Sequence, residues 1–386
     1  MKKFLSAVLV AAMAMSLFVG CGQSSAASGD MTWKIGGIGP TTGGAAVYGL
    51  AVQNAGQIAV DEINAAGGIN GYQISYNFQD DELDNEKSVN AYNTLKDWGM
   101  QILMGSVTSG CCVAVAAEAS NDQMFQVTPS GSSVDCITGN DNVYQICFTD
   151  PNQGIASADY IADNGVASNV AVIYDSSDVY SSGIYAKFAE EAAAKGLNIV
   201  SAEAFTADNK TDFSVQLQKA QDAGAELVFL PIYYTEASLI LTQANTMGYA
   251  PTFFGCDGLD GILGVENFDV SLAEGVMLLT PFAADATDAK TQDFVKKYQE
   301  KYNETPNQFA ADAYDAIYVI KAVLEAQNCK PDMSIADILA AAKTGMASVK
   351  FDGLTGEGMQ WDADGAVGKS PKAMKIEGGE YKLIVK

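Results

Sequence analysis

Apolar residues occur along this chain in two alternating patterns. Short apolar runs, such as residues 33–39 and 72–78, are typical of buried strands. Longer segments, such as residues 48–66, carry apolar residues at every third or fourth position and are typical of amphipathic helices. Gly67 and Gly68 follow that segment and end the first helix. Strands that alternate with helices of about 10–15 residues predict βαβ units and parallel sheets.

The alternation runs through two successive parts of the chain, which indicates a coarse duplication into two α/β halves. A third part, after Pro281, is mainly helical, ends in strand-like segments and must pack on one or both halves. We predict strands at residues 33–39, 72–78, 101–104, 124–127, 169–174, 197–204, 227–230, 252–254, 356–361, 373–376 and 381–385. We predict helices at residues 48–66, 85–98, 155–164, 180–195, 212–223, 236–247, 291–302, 309–327 and 335–342, and one more that ends at residue 118.

The first residues have the pattern of a secretory signal peptide. A basic start precedes an apolar run at residues 4–19, which is shorter than the ~20 residues that a membrane-spanning helix needs. Residues 18–21 read Phe-Val-Gly-Cys and are similar to a bacterial lipobox, in which the cysteine becomes the lipidated first residue. We therefore expect a signal peptide at 1–20, a lipidated Cys21 and a flexible tether at 21–32, with the mature chain anchored to the membrane outside the cytoplasm. The alternative is an ordinary signal peptide with a chance cysteine.

Composition excludes several classes of function. The chain has 22 basic and 47 acidic residues and a net charge of −25, whereas a nucleic-acid-binding protein needs a basic surface. Histidine is absent, which removes serine and cysteine triads, histidine acid–base catalysis and histidine metal ligands. We expect no metal and no cofactor. The length of 386 residues suggests two domains, because single cores stop growing at about 250–300 residues.

Besides Cys21, the chain has six cysteines, an even number that permits disulfides in an exported protein. No CxxC spacing indicates a zinc site. At least one disulfide among Cys111, Cys112, Cys136 and Cys147 is one expectation. Buried free thiols, which behave as small apolar residues, are an equal alternative. The pairing therefore stays open for Cys111, Cys112, Cys136, Cys147, Cys256 and Cys329.

Hydroxyl side chains follow two neighbouring strands of the first half. Ligands of open α/β sheets bind beyond the carboxyl ends of the strands. The loops at residues 105–110 and 128–133 stand there and contain Ser109, Ser130 and Ser132. The first loop opens a helix, whose free N–H groups and dipole suit a carboxylate. The alternative for each loop alone is ordinary helix capping.

The second half places different side chains after its strands. Tyr180 and Tyr233 are aromatic, and Asp257 follows the predicted strand at residues 252–254. Aromatic walls with a carboxylate would suit an ammonium group. Ordinary loop chemistry is again the alternative, because Asp-Gly is a common turn pair.

Short motifs distributed along the chain have a recognisable order and spacing. They are Gly39-Pro40 with Tyr48, residues 65–71, Asp80-Asp81, residues 105–110, Thr128-Pro129-Ser130 and residues 150–154. Together they resemble the branched-chain amino acid-binding proteins of ABC importers, which have the type I periplasmic-binding-protein fold. The resemblance extends from about Trp33 to the end of the chain.

The resemblance implies roles for the polar residues. Ser109 and Ser132, with the backbone around Ser130, would hold the α-carboxylate of a ligand. Asp257 would pair with the α-ammonium, where well-studied relatives carry glutamate. Aspartate shortens that reach by one methylene, and serine at position 132 replaces a common threonine.

The resemblance also assigns the aromatic residues. Tyr180 and Tyr233 would close over the ligand from the second lobe. Tyr48 would line the side-chain pocket together with Phe309. No arginine or lysine stands in these loops, so an acidic ligand side chain would lack a partner.

The architecture implied by the resemblance is an α/β fold of two Rossmann-like lobes with parallel-type central sheets. Three hinge crossings, near Asp150, Pro281 and Ser370, would join the lobes. The first lobe would comprise residues 33–150 and 282–370. The second would comprise residues 151–281 and 371–386.

The implied function is that of a lipid-anchored substrate-binding protein of an ABC importer. It would capture a small amino acid, with a branched-chain aliphatic one expected, in a Venus-flytrap cleft, and would deliver it to the permease subunits without catalysis. The first alternative is a sensory binding protein, linked to a chemoreceptor, for an amino acid, an amide or a small carboxylate. A carboxylate-based glycoside hydrolase and a structural surface protein are the remaining alternatives.

Overall fold

The computed structural model describes residues 31–385, so the predicted signal peptide and Cys21 lie outside the described residues. The first sheet is parallel and has the strand order β2-β1-β3-β4-β5. Its strands are β1 (Trp33–Gly39), β2 (Ile74–Asp80), β3 (Ile102–Gly105), β4 (Phe125–Thr128) and β5 (Val143–Gln145).

The second sheet repeats this order. Its strands lie in the order β7-β6-β8-β9-β10, which corresponds to β2-β1-β3-β4-β5 of the first sheet. Two further antiparallel strands, β11 and β12, extend the second sheet beyond β10. The strands are β6 (Asn169–Asp175), β7 (Asn198–Phe205), β8 (Leu227–Leu230), β9 (Thr252–Gly255), β10 (Met277–Thr280), β11 (Lys372–Glu377) and β12 (Glu380–Leu383).

Helices cover the two sheets. The chain leaves the first sheet after β5, builds the second sheet as far as β10, and then returns, because α9 packs on α1, β3 and β4. A last passage brings β11 and β12 back to the second sheet. The helices are α1 (Ala46–Ala65), α2 (Asn85–Trp98), α3 (Ser109–Asn121), α4 (Asp150–Asp163), α5 (Val179–Lys195), α6 (Ser214–Asp222), α7 (Tyr234–Met247), α8 (Ala289–Tyr302), α9 (Gln308–Ala326) and α10 (Ile335–Met346).

Local sequence signals set the ends of these helices, as α2 illustrates. The Asp84 side chain accepts a hydrogen bond of 2.9 Å from Lys87 N and so caps the first turn. Gly99 ends the helix in the left-handed region at φ 90°, where glycine carries no steric penalty. These signals are why the predicted bounds of α2 agree with the observed ones.

Three predicted features differ from the structure. The strand predicted at residues 356–361 is wrong, because only the isolated bridges Phe351–Met359 and Trp361–Val367 form there. Gly358 lies at φ 60°, which breaks the extended backbone. The short strands β5 and β10 are additional to the predicted ones. Helix α4 begins at Asp150 rather than at Ile155, with a proline in its first turn.

A buried ion pair holds the region between α9 and β11. Lys369, whose side chain has no exposed area, lies 2.5 Å from the Asp312 carboxylate and also donates to the Thr355 hydroxyl. Thr355 in turn donates to Asp315, which also accepts from Leu354 N at 2.8 Å. Burial raises the pKa of Asp312 to about 6, although the lysine opposes that shift.

Two further expectations concern membranes and cysteines. Among the described helices, none combines the length and apolarity required for a membrane crossing. The six described cysteines, from Cys111 to Cys329, are buried and free. The structure therefore favours the free-thiol alternative for all six.

We predict that Lys369→Met lowers the free energy of unfolding by about 3–5 kcal/mol, because it leaves the Asp312 carboxylate buried without a partner. Urea unfolding at pH 8 measures the loss. The loss should be smaller at pH 5, where Asp312 can take up a proton. Lys296→Met is the control, since Lys296 is 72% exposed and should change stability by less than about 1 kcal/mol. Equal effects of the two substitutions would contradict the assignment.

Candidate ligand-binding site

The two sheets contribute loops to one enclosed cavity. Its lining contains all eight residues that the sequence predicts, together with Val107, Thr108 and Gly258. α1, α3, α9 and the loop after β4 supply one side, and the first turns of α5 and α7 and the turn after β9 supply the other. The predicted residues that meet here are Tyr48, Ser109, Ser130, Ser132, Tyr180, Tyr233, Asp257 and Phe309.

The hydroxyl side of the cavity is held together by its own serines. Ser109 begins α3, and its hydroxyl accepts hydrogen bonds of 3.1 Å from the backbone N–H groups of Ser132 and Ser133. Because a hydroxyl has one proton to donate, Ser109 can still donate to a ligand. Ser130 instead donates to Val107 O at 2.6 Å and fixes the neighbouring loop.

Two hydroxyls of the cavity have open hydrogen-bonding capacity. The side-chain oxygens of Thr108 and Ser132 are buried and form no hydrogen bond of good geometry within the described chain, although the Cys111 thiol lies near the first and the Asp150 carboxylate lies near the second. Thr108 stands at the N-cap of α3 without capping it, so helix capping does not account for this hydroxyl. With the N-terminus of α3 beside them, these groups form an environment suited to an anionic group.

Asp257 is the buried carboxylate on the opposite side. Tyr180 donates to one of its oxygens at 2.7 Å, and the Gln153 amide donates to the other at 2.9 Å. Burial raises the pKa of Asp257 to about 7, against the lowering effect of these two hydrogen bonds, and the charge of Asp312 raises it further. A cation placed beside it would favour the ionised form.

Asp260 lies in the same short turn as Asp257. Its carboxylate accepts a hydrogen bond of 2.9 Å from Gln308 N at the start of α9. Burial raises its pKa to about 7 as well, and the charge of Asp312 contributes to the shift. This hydrogen bond ties the turn after β9 to a helix that packs on the first sheet.

Aromatic rings form the remaining wall. Tyr180 stacks on Tyr233 with ring centroids 5.0 Å apart, and Tyr48 packs against Phe309 at 4.4 Å. The Tyr48 hydroxyl donates to Gly258 O at 2.5 Å, across the gap between the two sides. A side chain at position 258 would collide with the Tyr180 hydroxyl, since an added Cβ would lie 2.6 Å from it.

The two sides are in direct contact around the cavity. Thr235 donates to Gly44 O at 2.6 Å, and Val47 N donates to the Tyr234 hydroxyl at 3.1 Å. The enclosed cavity has a volume of about 10 Å³, close to what one water molecule needs. The two sides touch in this arrangement, here called closed, and the cavity is smaller than an amino acid.

A larger open cavity of about 480 Å³, here called the front cavity, adjoins the site and shares Thr108 and Tyr233 with it. Its only lysine, Lys210, lies 3.0 Å from Glu236. Carboxylates predominate on its walls and belong to Asp84, Glu86, Asp175, Asp178 and Glu236.

Sequence reasoning missed several residues around the site. Gln153 fixes Asp257, and its only signal was the motif at residues 150–154. Asp150 lies buried behind Ser132, and burial raises its pKa although the nearby Ser132 hydroxyl opposes that shift. Nothing in a linear sequence shows that this carboxylate packs behind the serine loop. No group of three or more histidine, cysteine or acidic side chains in residues 31–385 is arranged to hold a metal ion.

Two sheets, the first parallel and the second mixed, share an enclosed cavity at the ends of their parallel strands, and this arrangement defines a two-lobed solute-binding architecture. The sequence profile described as periplasmic binding protein matches residues 32–380. The chain belongs to this family, which implies an extracytoplasmic location and a class of binding proteins rather than enzymes.

Known proteins extend this result. The Leu/Ile/Val-binding protein homolog 3 of Brucella melitensis is 32% identical over 306 residues, which are 79% of this chain and 81% of the relative. The substrate binding protein LivJ of Streptococcus pneumoniae, solved with isoleucine, has a TM-score of 0.82 and 29% identity, and the likeness covers 92% of this chain and 99% of that one. A solute binding protein from R. palustris, solved with benzoate, has a TM-score of 0.80 at 19% identity over 92% and 95% of the two chains, a likeness of fold alone.

These comparisons confirm two predictions. The fold class is that of the type I periplasmic binding proteins, and the resemblance to branched-chain amino acid-binding proteins is real. Because structural neighbours have been solved with ligands as different as isoleucine and benzoate, the fold does not determine the ligand.

We predict that Asp260→Asn gains stability relative to wild type as the pH rises from about 4 to about 7. Asp260 has a folded pKa of about 7 and an ordinary value of 3.8, so the folded protein binds more protons in this window and loses stability as the pH rises. Asparagine keeps the acceptor for Gln308 N and does not titrate. Urea unfolding at several pH values should show a gain of up to about 4 kcal/mol. The prediction would be contradicted if the free energies of unfolding of Asp260→Asn and wild type differed by the same amount at every pH.

Proposed function

We propose that this protein is the substrate-binding protein of an ABC importer and that it captures a zwitterionic amino acid with a small or medium aliphatic side chain, a branched-chain one above all. The observation that carries the proposal is the enclosed cavity itself. It sets open hydroxyls at the N-terminus of α3 against the Asp257 carboxylate, with aromatic rings between them. No covalent chemistry is involved.

The hydroxyl side would bind the α-carboxylate. Ser109 retains a proton to donate, and the hydroxyls of Thr108 and Ser132 form no hydrogen bond of good geometry within the described chain. A ligand carboxylate would accept from these groups and from the free N–H groups of α3. Ser130 would contribute by holding its loop, since its hydroxyl already donates to Val107 O.

The opposite side would bind the α-ammonium. Asp257 becomes fully ionised when a cation lies beside it, and Tyr180 and Gln153 hold its oxygens in place. The rings of Tyr48 and Phe309 would cover the ligand side chain, and burial of a leucine-sized group contributes about 1.5–3 kcal/mol.

An anionic ligand fits this site less well. The charged residues that line the front cavity are five carboxylates and one lysine, and the whole sequence contains no arginine to pair with an acidic side chain. The names of the relatives agree with this choice, since they specify leucine, isoleucine and valine. Because one structural neighbour was solved with benzoate, small carboxylates are the competing class of ligand.

The ligand would enter through a hinge motion of two lobes. We assign residues 33–150 and 282–370 to the first lobe and residues 151–281 and 371–386 to the second, in accord with the membership of the two sheets. The hydrogen bonds that cross the closed cleft, such as that from Tyr48 to Gly258 O, would break on opening. The closed lobes would then deliver the ligand to the permease, and a lipid on Cys21 would keep the protein at the membrane.

Asp257→Ala should cost about 2–5 kcal/mol of binding free energy, because the ligand ammonium would lose its partner in a desolvated site. This loss corresponds to roughly 30-fold to several-thousand-fold weaker affinity. Titration calorimetry with leucine, isoleucine, valine, alanine, glutamate and benzoate measures it. Asp222→Ala, at the exposed end of α6, is the control and should bind as wild type does. Unchanged binding by Asp257→Ala, or binding of benzoate alone, would refute the amino acid assignment.

Ligand binding should compact the protein, because only the closed arrangement contacts the ligand from both sides. Small-angle scattering should give a smaller radius of gyration with saturating leucine than without it. The closed state should also gain roughly 2.7 kcal/mol of stability at ligand 100-fold above the dissociation constant. Equal radii in the presence of proven binding would eliminate the hinge.

Cys21→Ala should release the protein from the membrane, because the lipid attached to this cysteine would be its anchor. Fractionation of expressing cells, with detection in the membrane and soluble fractions, measures the release. Cys329→Ala is the control, because Cys329 is buried in the folded part and should leave the protein membrane-bound. Membrane association of Cys21→Ala at the wild-type level would exclude a lipid anchor at this residue.

A further inference from the structure

A second cavity lies beyond the turn from Asp257 to Asp260 and shares no lining residue with the enclosed site. This cavity, here called the rear cavity, is open to solvent and has a volume of about 690 Å³. Small-molecule sites in proteins usually measure about 300–1,000 Å³, so the rear cavity is large enough to hold a ligand. The proposed function gives it no role.

Both sides of the molecule build the rear cavity. Val47 belongs to α1, which packs on the first sheet, and Tyr298 belongs to α8, which packs on α1. Leu278, Met374 and Tyr381 belong to strands of the second sheet. The floor is apolar and buried, and Leu50 forms part of the rim with 41% of its surface exposed. A bound molecule would therefore contact both lobes over an apolar surface.

The charges around the rear cavity are predominantly negative. Four carboxylates, from Asp260, Asp285, Glu304 and Glu380, stand against the single lysine Lys382. That lysine is already paired with Glu380. Asp260 is buried in a poorly solvated place, where a neighbouring cation interacts strongly with its carboxylate and favours the ionised form.

We propose that the rear cavity is a second ligand site, and that its ligand is an amphipathic cation, an apolar body that carries one ammonium group. The apolar part lies on Leu278, Phe282 and Met374, and the ammonium points to Asp260. An anion of the same shape is excluded by the surrounding carboxylates, and a neutral analogue lacks the electrostatic attraction.

The turn from Asp257 to Asp260 connects the rear cavity with the enclosed site. Asp260 N donates to Asp257 O at 2.8 Å, and the Gln308 amide donates to the same oxygen at 3.3 Å. Gln308 precedes Phe309, which lines the enclosed site. Because residues of both lobes line the rear cavity, a molecule bound there contacts both in the closed arrangement, so its occupation favours closure and strengthens leucine binding at the first site. This coupling rests on the proposed function, whereas the binding of the cation does not.

Titration calorimetry of the mature protein with hexylammonium, hexanol and hexanoate tests the proposal. We expect hexylammonium to bind at least roughly tenfold more tightly than hexanoate, with hexanol between them. Leu50→Lys places a cation at the rim and should weaken hexylammonium binding about fivefold or more. Val215→Lys is the matched control, because Val215 is 63% exposed on α6, away from the cavity, and should leave the affinity unchanged.

Two further measurements distinguish binding in the rear cavity from binding in the enclosed site. Asp257→Ala should retain hexylammonium binding, which would be lost if the cation occupied the enclosed site instead. Saturating hexylammonium should increase leucine affinity about twofold or more in wild type and not in Leu50→Lys. Failure of hexylammonium to bind, equal affinities of the three probes, or equal effects of the two lysine substitutions would overturn the proposal. Failure of leucine to bind, with hexylammonium binding intact, would refute the proposed function alone.

Discussion

The ion pair of Lys369 and Asp312 is the interaction on which the centre of this molecule depends. The chain has a net charge of −25 and neither arginine nor histidine, yet it buries acidic side chains around the space between its two sheets. Each buried carboxylate loses hydration, which raises its pKa and favours the neutral form. Lys369, whose side chain is fully buried, pairs with Asp312 and compensates part of this charge.

The position of Lys369 connects this charge balance with the ligand. Asp312 lies at one end of the pair, and its charge contributes to the raised pKa of both Asp257 and Asp260. The candidate ammonium site is therefore electrostatically linked to the residues that hold the chain before β11. A ligand cation beside Asp257 would add positive charge to this acidic centre, which supports the proposed zwitterionic ligand.

The sequence predicted most of the fold and the candidate site, for physical reasons. Long periodic segments such as α2 carry caps at both ends, and the carboxyl ends of parallel strands necessarily meet at one edge, which brings Ser109 and Ser132 together. Short strands such as β5, with three residues, have too few positions for a period to be seen. Gln153 and Asp150 act through packing between distant loops, and a linear pattern contains no record of such contacts.

The order in which the chain visits its two sheets has a consequence for biogenesis. Neither half is continuous in sequence, because α9 returns to the first sheet after β10 and the last strands, β11 and β12, complete the second. Contacts between residues far apart in sequence form slowly, since the loops between them must close first. The nascent chain cannot cover the first sheet with α9 until that helix has been made, and it cannot complete the second sheet until β11 and β12 have been made. A protein destined for export gains from this delay, because a chain that has not yet folded remains able to pass through a narrow translocation channel.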